Sequence, residues 1–391
     1  MIDLVSSVLA ASVGVGQSFL TYAVPFVFVL SIVVFFHELG HFLVARWCGV
    51  AVETFSIGFG KALFSWKDKH GTRWQVAWLP LGGYVKFVGD ANAISAPGEG
   101  EGREAVTEEE AARRAAAGHF HFKPVGQRSL VVAAGPVANF ILAIVIFAAT
   151  FAIVGEQRTL PVVGAVEPGS AAEAAGFAPQ DRVLSINGGK IDSFEDMVRA
   201  VALSGGSVLT IDVARDGQVV ELKAAPRAES QEDPFYGPVY RLGIKSDPEG
   251  NRYYVHFGPI AAIAKGVEQT GLVISDSLSA VGRLVSGHGD PSQLSGVVGI
   301  AKVSGEVAQR LGFLALLNLA AVLSVSIGLL NLFPIPMLDG GHLLYYAYEA
   351  VRGRPLGERA QEFGFRVGIA LVLSLMIFAT WNDLVKLQIF G

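Results

Sequence analysis

Four stretches of this chain read as membrane-spanning helices, each near the roughly 20 apolar residues that a bilayer demands. They are Phe19–Ala45, Leu130–Val154, Leu311–Phe333 and the shorter Val367–Trp381. Lipid offers backbone groups no hydrogen-bond partner, so a lone spanning segment must be a helix. Composition agrees, because only 17% of residues are charged against about 25% in soluble domains. The expectation is a polytopic α-helical membrane protein of about four transmembrane helices, with polar inserts. No Lys or Arg precedes Arg46, whereas a cleaved signal peptide opens on positive charge. The first apolar segment is therefore expected to stay in the membrane, with residues 1–18 as an N-terminal extension. A net charge of -5 argues against a nucleic-acid partner, and the single Cys48 excludes an intrachain disulfide.

Basic residues near span ends set the orientation. Arg46, Lys61, Lys67 and Lys69 follow the first span, Lys123 and Arg128 precede the second, and Arg352, Arg354, Arg359 and Arg366 separate the third from the fourth. Both of those loops are expected in the cytoplasm, with the termini and the segment 155–310 outside.

Three polar regions need another structure. Residues 50–90 include "GTRWQVAWLPLGGYVKFVG", rich in aromatic and β-branched residues, and read as strands and hairpins. Such backbone must pack on helices or line a cavity; Trp74, Trp78, Tyr84 and Phe87 are its candidates for dipping into the inner leaflet. Residues 91–128 read as a cytoplasmic linker, solvated and at most weakly helical. Residues 160–228 alternate strands with two short helices and carry a hairpin signal at Asp216-Gly217. Residues 229–257 are a tail of open structure, and 259–285 show amphipathic helical spacing expected at the outer membrane surface.

The first span ends in "FFHELGHFLVAR". His37 and His41 are spaced i and i+4, so a helix puts both imidazoles on one face, in reach of one Zn²⁺. Glu38 beside them is placed to take a proton from water that zinc has acidified. An ionised glutamate at bilayer depth costs about 3 kcal/mol, which makes it a functional candidate. Roughly 10 residues separate His37 from Arg46, or about 15 Å of helix, so the motif lies inside the span. The alternative is a pair of interfacial histidines capping the span. A catalytic zinc site needs a third protein ligand and an open position. "NLFPIPMLDGGH" ends the third span at the matching depth and offers Asp339, with His342 as the rival. Pro334 and Pro336 break the helix there, and Gly340-Gly341 are expected to form a tight turn. His70, His119, His121, His256 and His288 are weaker candidates.

Together, "HELGH", "GGYVKFVG", "AAGPVANF" and "NLFPIPMLDGGH" resemble the site-2 protease family of intramembrane zinc metalloproteases, in its bacterial RseP-like branch. The resemblance implies zinc on His37, His41 and Asp339, with Glu38 as the catalytic base. It makes Asn331 a candidate to steady substrate or oxyanion, the alternative being an interhelical hydrogen bond. It gives Gly135, Pro136 and Asn139 a role in close helix packing near the site. Gly82, Gly83 and Tyr84 fall in a membrane-associated β-hairpin that pairs with an unwound substrate strand. The 160–228 segment resembles a PDZ domain, inserted here as one α/β copy where the best-known bacterial members carry two. Val297 stands where the family has proline after Gly296.

What the resemblance implies is peptide-bond hydrolysis within transmembrane segments of single-span proteins, in the bacterial inner membrane. Substrates would be anti-sigma factors first trimmed by a site-1-type protease, or remnant signal peptides. Two other classes compete: an inactive scaffold binding partners through its PDZ-like domain, and a metal transporter. The scaffold would have no use for Glu38, and a transporter should show more polar spans.

Overall fold

The computed structural model describes residues 2–89, 107–228, 240–246, 252–287 and 294–386. Much of the expected linker and tail, and His288, lie outside the described residues. The chain divides into two compact units, residues 1–150 with 259–391, and residues 151–258.

In the first unit, α1 runs unbroken over Ile2–Trp47. Residues 2–18 of the expected extension are therefore helix continuous with the span. Its glycines each cost only about 1 kcal/mol in a helix, too little to stop it. Four helices among the described residues are long and apolar enough to cross a membrane: Leu20–Trp47, Val125–Ile153, Val297–Asn331 and Arg359–Lys386. All four expected spans are present, and the last is far longer than Val367–Trp381 because its polar ends stay helical.

Strands β1 (Val52–Lys67) and β2 (Arg73–Phe87) follow α1. Their register shows more than a hairpin. Phe55 lies opposite both Val85 and Trp74, and Ser56 opposite both Tyr84 and Gln75. Trp66 lies opposite Trp74 and Lys67 opposite Arg73. The two strands thus fold back into a sheet with segment order 83–87, 52–57, 73–76, 64–67. Phe55 is buried against Trp74 and Phe42, which fastens the sheet to α1. Arg46 adds a 2.6 Å ion pair to Asp68. The remote half is bare, with Leu63 63%, Phe64 73%, Trp66 55% and Trp78 62% exposed. Of the four aromatics expected to dip into lipid only Trp78 is so exposed. Phe87 is buried, Trp74 packs on Phe55, and Tyr84 stacks on Phe59. Sheet fold-back turns those three inward.

Helix α2 (Glu108–Ala116) occupies part of the expected linker. Thr107 caps it, and Glu109–Arg113 and Glu110–Arg114 pairs at 2.6 and 2.7 Å brace it. Helix α3 is Val125–Ile153.

The second unit contains β3 (Glu156–Thr159), β4 (Val163–Val166), α4 (Ala171–Ala175), β5 (Arg182–Ile186), β6 (Gly189–Lys190), α5 (Phe194–Leu203), β7 (Leu209–Arg215), β8 (Gln218–Ala224), β9 (Arg227–Ala228), β10 (Tyr240–Arg241), β11 (Ile244–Ser246) and β12 (Arg252–Val255). A four-stranded antiparallel sheet has the order β6-β5-β7-β8, and β4 pairs with β11, β3 with β12 and β9 with β10. Asp216 and Gly217 both take positive φ, 51° and 81°, as a two-residue hairpin requires. Val163, Val183, Ile211 and Val213 form the buried centre. Ser170 and Ser193 cap the two helices through their side chains.

One ion pair ties this unit's stability to pH. Asp181 has a fully buried side chain and accepts two hydrogen bonds from Arg215, at 2.7 and 2.6 Å, and one from Ala178 N–H. Burial opposes its ionisation, but those bonds and the guanidinium charge outweigh it and hold the carboxyl below the usual range. A depressed pKa contributes stability above the unfolded value of about 3.9 and loses it as pH falls through the folded value. Asp181→Asn is expected to destabilise the unit at pH 7, through the loss of its charge-assisted hydrogen bonds from Arg215, and to flatten the unit's loss of stability below pH ~4. Hydrogen exchange of residues 209–224 in the full chain, from pH 7 to 3, measures both; equal protection in variant and wild type contradicts the assignment.

The remaining helices are α6 (Pro259–Val285), α7 (Val297–Asn331), α8 (Asp339–Arg352) and α9 (Glu358–Lys386). Helix α7 is two helices joined at Gly312, whose φ of 80° and ψ of -173° kink it. The part after the kink, roughly 28 Å long at 1.5 Å per residue, is the membrane-length piece. Small residues bring the helices together, as is usual in membrane packing. Gly40 of α1 lies against the Ala134 carbonyl of α3, and Gly328 of α7 against Asn139 and the Pro136 carbonyl. Helices α1, α3 and α7 therefore meet at the level of His37.

Candidate metal centre

The helical turn from His37 to His41 brings their Nε2 atoms to 3.2 Å. Asp339, the first residue of α8, points Oδ2 at the same spot, 3.2 Å from His37 Nε2 and 3.6 Å from His41 Nε2. That oxygen is buried and has no hydrogen-bond partner. Three electron-pair donors facing one another suit a shared cation. A tetrahedron with zinc bonds of 2.0–2.1 Å has edges of about 3.4 Å, and the three separations match it. Two imidazoles and one carboxylate could hold the ion and leave a fourth position open. Among the described residues these three are the His, Cys, Asp or Glu group that converges in this way.

Each donor is aimed by a neighbour. His41 Nδ1 donates to the Val131 carbonyl of α3 at 2.9 Å, leaving Nε2 with its lone pair. Asn139 Nδ2 is placed 3.2 Å from His37 Nδ1, and Asn331 Nδ2 lies 3.4 Å from His37 Nε2. A Cβ on Gly135 would fall on His41 Nε2 and 2.8 Å from His37 Cε1. Position 135 is thus bare so that both rings can turn toward the ion. Pro136 lies buried in α3 one residue further on.

Asp339 is aimed differently from the expectation. Gly340 and Gly341 do not form the turn; they lie in the first turn of α8. The turn is made by 332–338, where Met337 holds a φ of 94°. A bulky residue there stores about 1–3 kcal/mol of strain. Cβ atoms on Gly340 and Gly341 would strike the carbonyls of Leu332 and Ile335, so the glycines let the turn pack onto its own helix.

Gly83 brings the sheet to Glu38. A Cβ there would lie 3.0 Å from Glu38 Cγ, 2.9 Å from Val34 and 2.8 Å from the Ser56 carbonyl. The edge segment 83–87 therefore runs directly against the glutamate. Gly82, at φ 130°, lies against the Phe59 ring, and Tyr84 accepts a hydrogen bond from Gln75 within the sheet. Those two residues stay outside the donor cluster. His342 also stands outside it, its ring set edge-on to Tyr345. His70 lies at the sheet turn, His119 and His121 flank Phe120, and His256 belongs to the second unit.

Two contributors escaped the sequence reading. Val131 acts through its carbonyl, which no side-chain pattern reveals. Arg128, a topology marker in the sequence, forms a buried 2.7 Å ion pair with Glu349 of α8, 221 residues away.

Comparison with known proteins adds an independent finding. The profile of peptidase family M50 matches residues 25–375. A protein of Agrobacterium fabrum named as a zinc metalloprotease is 47% identical over 376 residues, 95% of this chain and 98% of its own. One of Rhizobium meliloti with the same naming is 44% identical, covering 93% and 97%. Metalloprotease MmpA of Caulobacter vibrioides is 44% identical, covering 95% and 97%. With that match along most of its length, and a His-His-Asp group able to bind the ion, the chain belongs to peptidase family M50 and is a zinc metalloprotease of the site-2 type.

Proposed function

We propose that this protease cuts within transmembrane segments of single-span membrane proteins. The observation that carries the reading is that His37, Glu38 and His41 lie inside a helix long and apolar enough to cross a membrane. His37, His41 and Asp339 would hold the zinc, which when bound polarises a carbonyl and acidifies water. Glu38 removes a proton from the attacking water and delivers it to the departing amine. Asn331, whose Nδ2 lies 3.4 Å from His37 Nε2, would steady the developing oxyanion.

A substrate helix must unwind before its carbonyls are accessible, and freed backbone groups in lipid are costly. Segment 83–87 pairs with 52–57 on one side and offers its other edge to an extended substrate, as in β-strand addition. The bare half of the sheet, with Phe64, Trp66 and Trp78, enters the inner leaflet. The distribution of basic residues supports an active site toward the cytoplasm of a bacterial inner membrane, with the termini and second unit outside. Helix α6, exposing Ile260, Ile263 and Val267, rests on the outer surface. The second unit is PDZ-like and receives substrates already trimmed by another protease.

The test is to co-reconstitute the enzyme with a tagged single-span protein in vesicles and to weigh the fragments. Cleavage inside the apolar span is expected; fragments ending only in the polar flanks would refute the intramembrane reading.

A further inference from the structure

We infer that Asn139 is the positioning residue for His37, presenting its side-chain oxygen to Nδ1 and so fixing Nε2 as the atom that faces the metal position. The inference rests on the reading of His37 as a ligand, and it goes beyond the helix-packing role that the motif around Asn139 implies. Helix α3 delivers Asn139 to the far side of the His37 ring from the metal position, where its side-chain nitrogen is placed 3.2 Å from Nδ1 and its side-chain oxygen is left buried without a partner, the residue having no exposure to solvent.

Proton accounting decides which amide atom faces the ring. His37 Nε2 lies 3.2 Å from both His41 Nε2 and Asp339 Oδ2, so as a ligand it must carry a lone pair. A neutral imidazole has one N–H, which then sits on Nδ1 and needs an acceptor. The amide nitrogen cannot accept; the amide oxygen can. With the nitrogen turned to the ring, as it is placed, His37 would carry its proton on Nε2, pointing it at the other donors, and the Asn139 oxygen is buried without a partner. The two ends of an amide exchange by a half-turn at almost no steric cost. His41 follows the same logic, with the Val131 carbonyl as acceptor at 2.9 Å. One ring is thus set by a backbone oxygen of α3 and the other by a side-chain oxygen of the same helix, two turns further on.

Asn139 is itself held in place. Its own carbonyl accepts the Ser324 hydroxyl of α7 at 2.9 Å, and Gly328 admits α7 so closely that a Cβ there would lie 3.1 Å from Asn139 Cβ. Helix α7 therefore clamps the residue that orients the ligand on α1.

The test uses the full-length protein in detergent. In the zinc-free wild type labelled with ¹⁵N-histidine, His37, assigned by its loss in His37→Gln, is expected as the Nδ1–H tautomer. An Nε2–H tautomer overturns the inference. Zinc affinity by competition with a chromogenic chelator is the second readout. Asn139→Leu removes the acceptor and is expected to weaken zinc binding about 10–100-fold, while Asn139→Asp, which keeps an oxygen, binds at least as tightly as wild type. Equal affinity in Asn139→Leu overturns the inference, and if that variant does not fold the tautomer measurement decides alone. A wild type that binds no zinc overturns the metal reading and this inference with it.

Discussion

Glu38→Gln is expected to abolish peptide hydrolysis while zinc stays bound. The amide has the size of the carboxyl, so it fits under Gly83, where a Cβ would already stand 3.0 Å from Glu38 Cγ. It cannot take a proton at neutral pH. A positioned general base contributes about 10²–10⁴-fold, and no second carboxylate belongs to the converging group once Asp339 is engaged with the two histidines. Zinc content should not change, because Glu38 is not one of the three donors. Asp339→Ala provides the contrast, since it removes a donor and lowers zinc affinity and turnover together. The measurement is initial cleavage rate and metal content on the same preparation. A variant that keeps both zinc and the wild-type rate would mean that Glu38 is not the base; loss of both would make it a ligand.

The spans were legible because lipid allows few structures. Length and hydropathy alone located all four, and errors fell at the ends, where lipid no longer constrains. Residues 2–18 are the example: they are only mildly apolar and rich in Ser, Gly and Ala, yet the helix continues through them. The kink at Gly312 was half visible, because the apolar run starts beside it while the helix starts at Val297. The sheet was recognised as strands, but not its fold-back, since a period of two does not say that Phe55 has a partner on each side. At the metal centre, His37 and His41 announce themselves by spacing. Asp339 needed an argument from depth, and in the structure its Oδ2 stands 3.2 and 3.6 Å from the two histidines. The residues that aim the donors were not legible. Asn139 and Gly135 look like packing residues, and the Val131 carbonyl looks like nothing at all. Their roles depend on which helix faces which, and the spans do not encode that one by one.

Glu349→Gln is expected to destabilise the protein by about 3–5 kcal/mol, the usual effect of leaving one member of a buried ion pair uncompensated. Arg128 would remain on α3 with its side chain 5% exposed, hydrogen-bonded to the Lys123 carbonyl and lying 4.7 Å over the Tyr346 ring. Neither contact neutralises its charge. The pair also bears on the metal centre, because α8 carries Glu349 on its last turns and Asp339 on its first. A rigid helix about 15 Å long over those ten residues transmits its roll from one end to the other. Arg128 is therefore expected to help set how α8 lies on α3, and with it the direction in which Asp339 faces. Stability and specification can be separated. Arg128→Met with Glu349→Leu replaces both charges with apolar groups of similar bulk and should recover most of the lost stability. If the pair also sets the roll of α8, the double variant melts near the wild-type temperature but binds zinc more weakly. If the pair only offsets its own burial, zinc affinity returns along with stability. Thermal unfolding in detergent and chelator competition on the two variants distinguish these outcomes, and a Glu349→Gln protein that melts with the wild type would show that Arg128 finds another counter-charge.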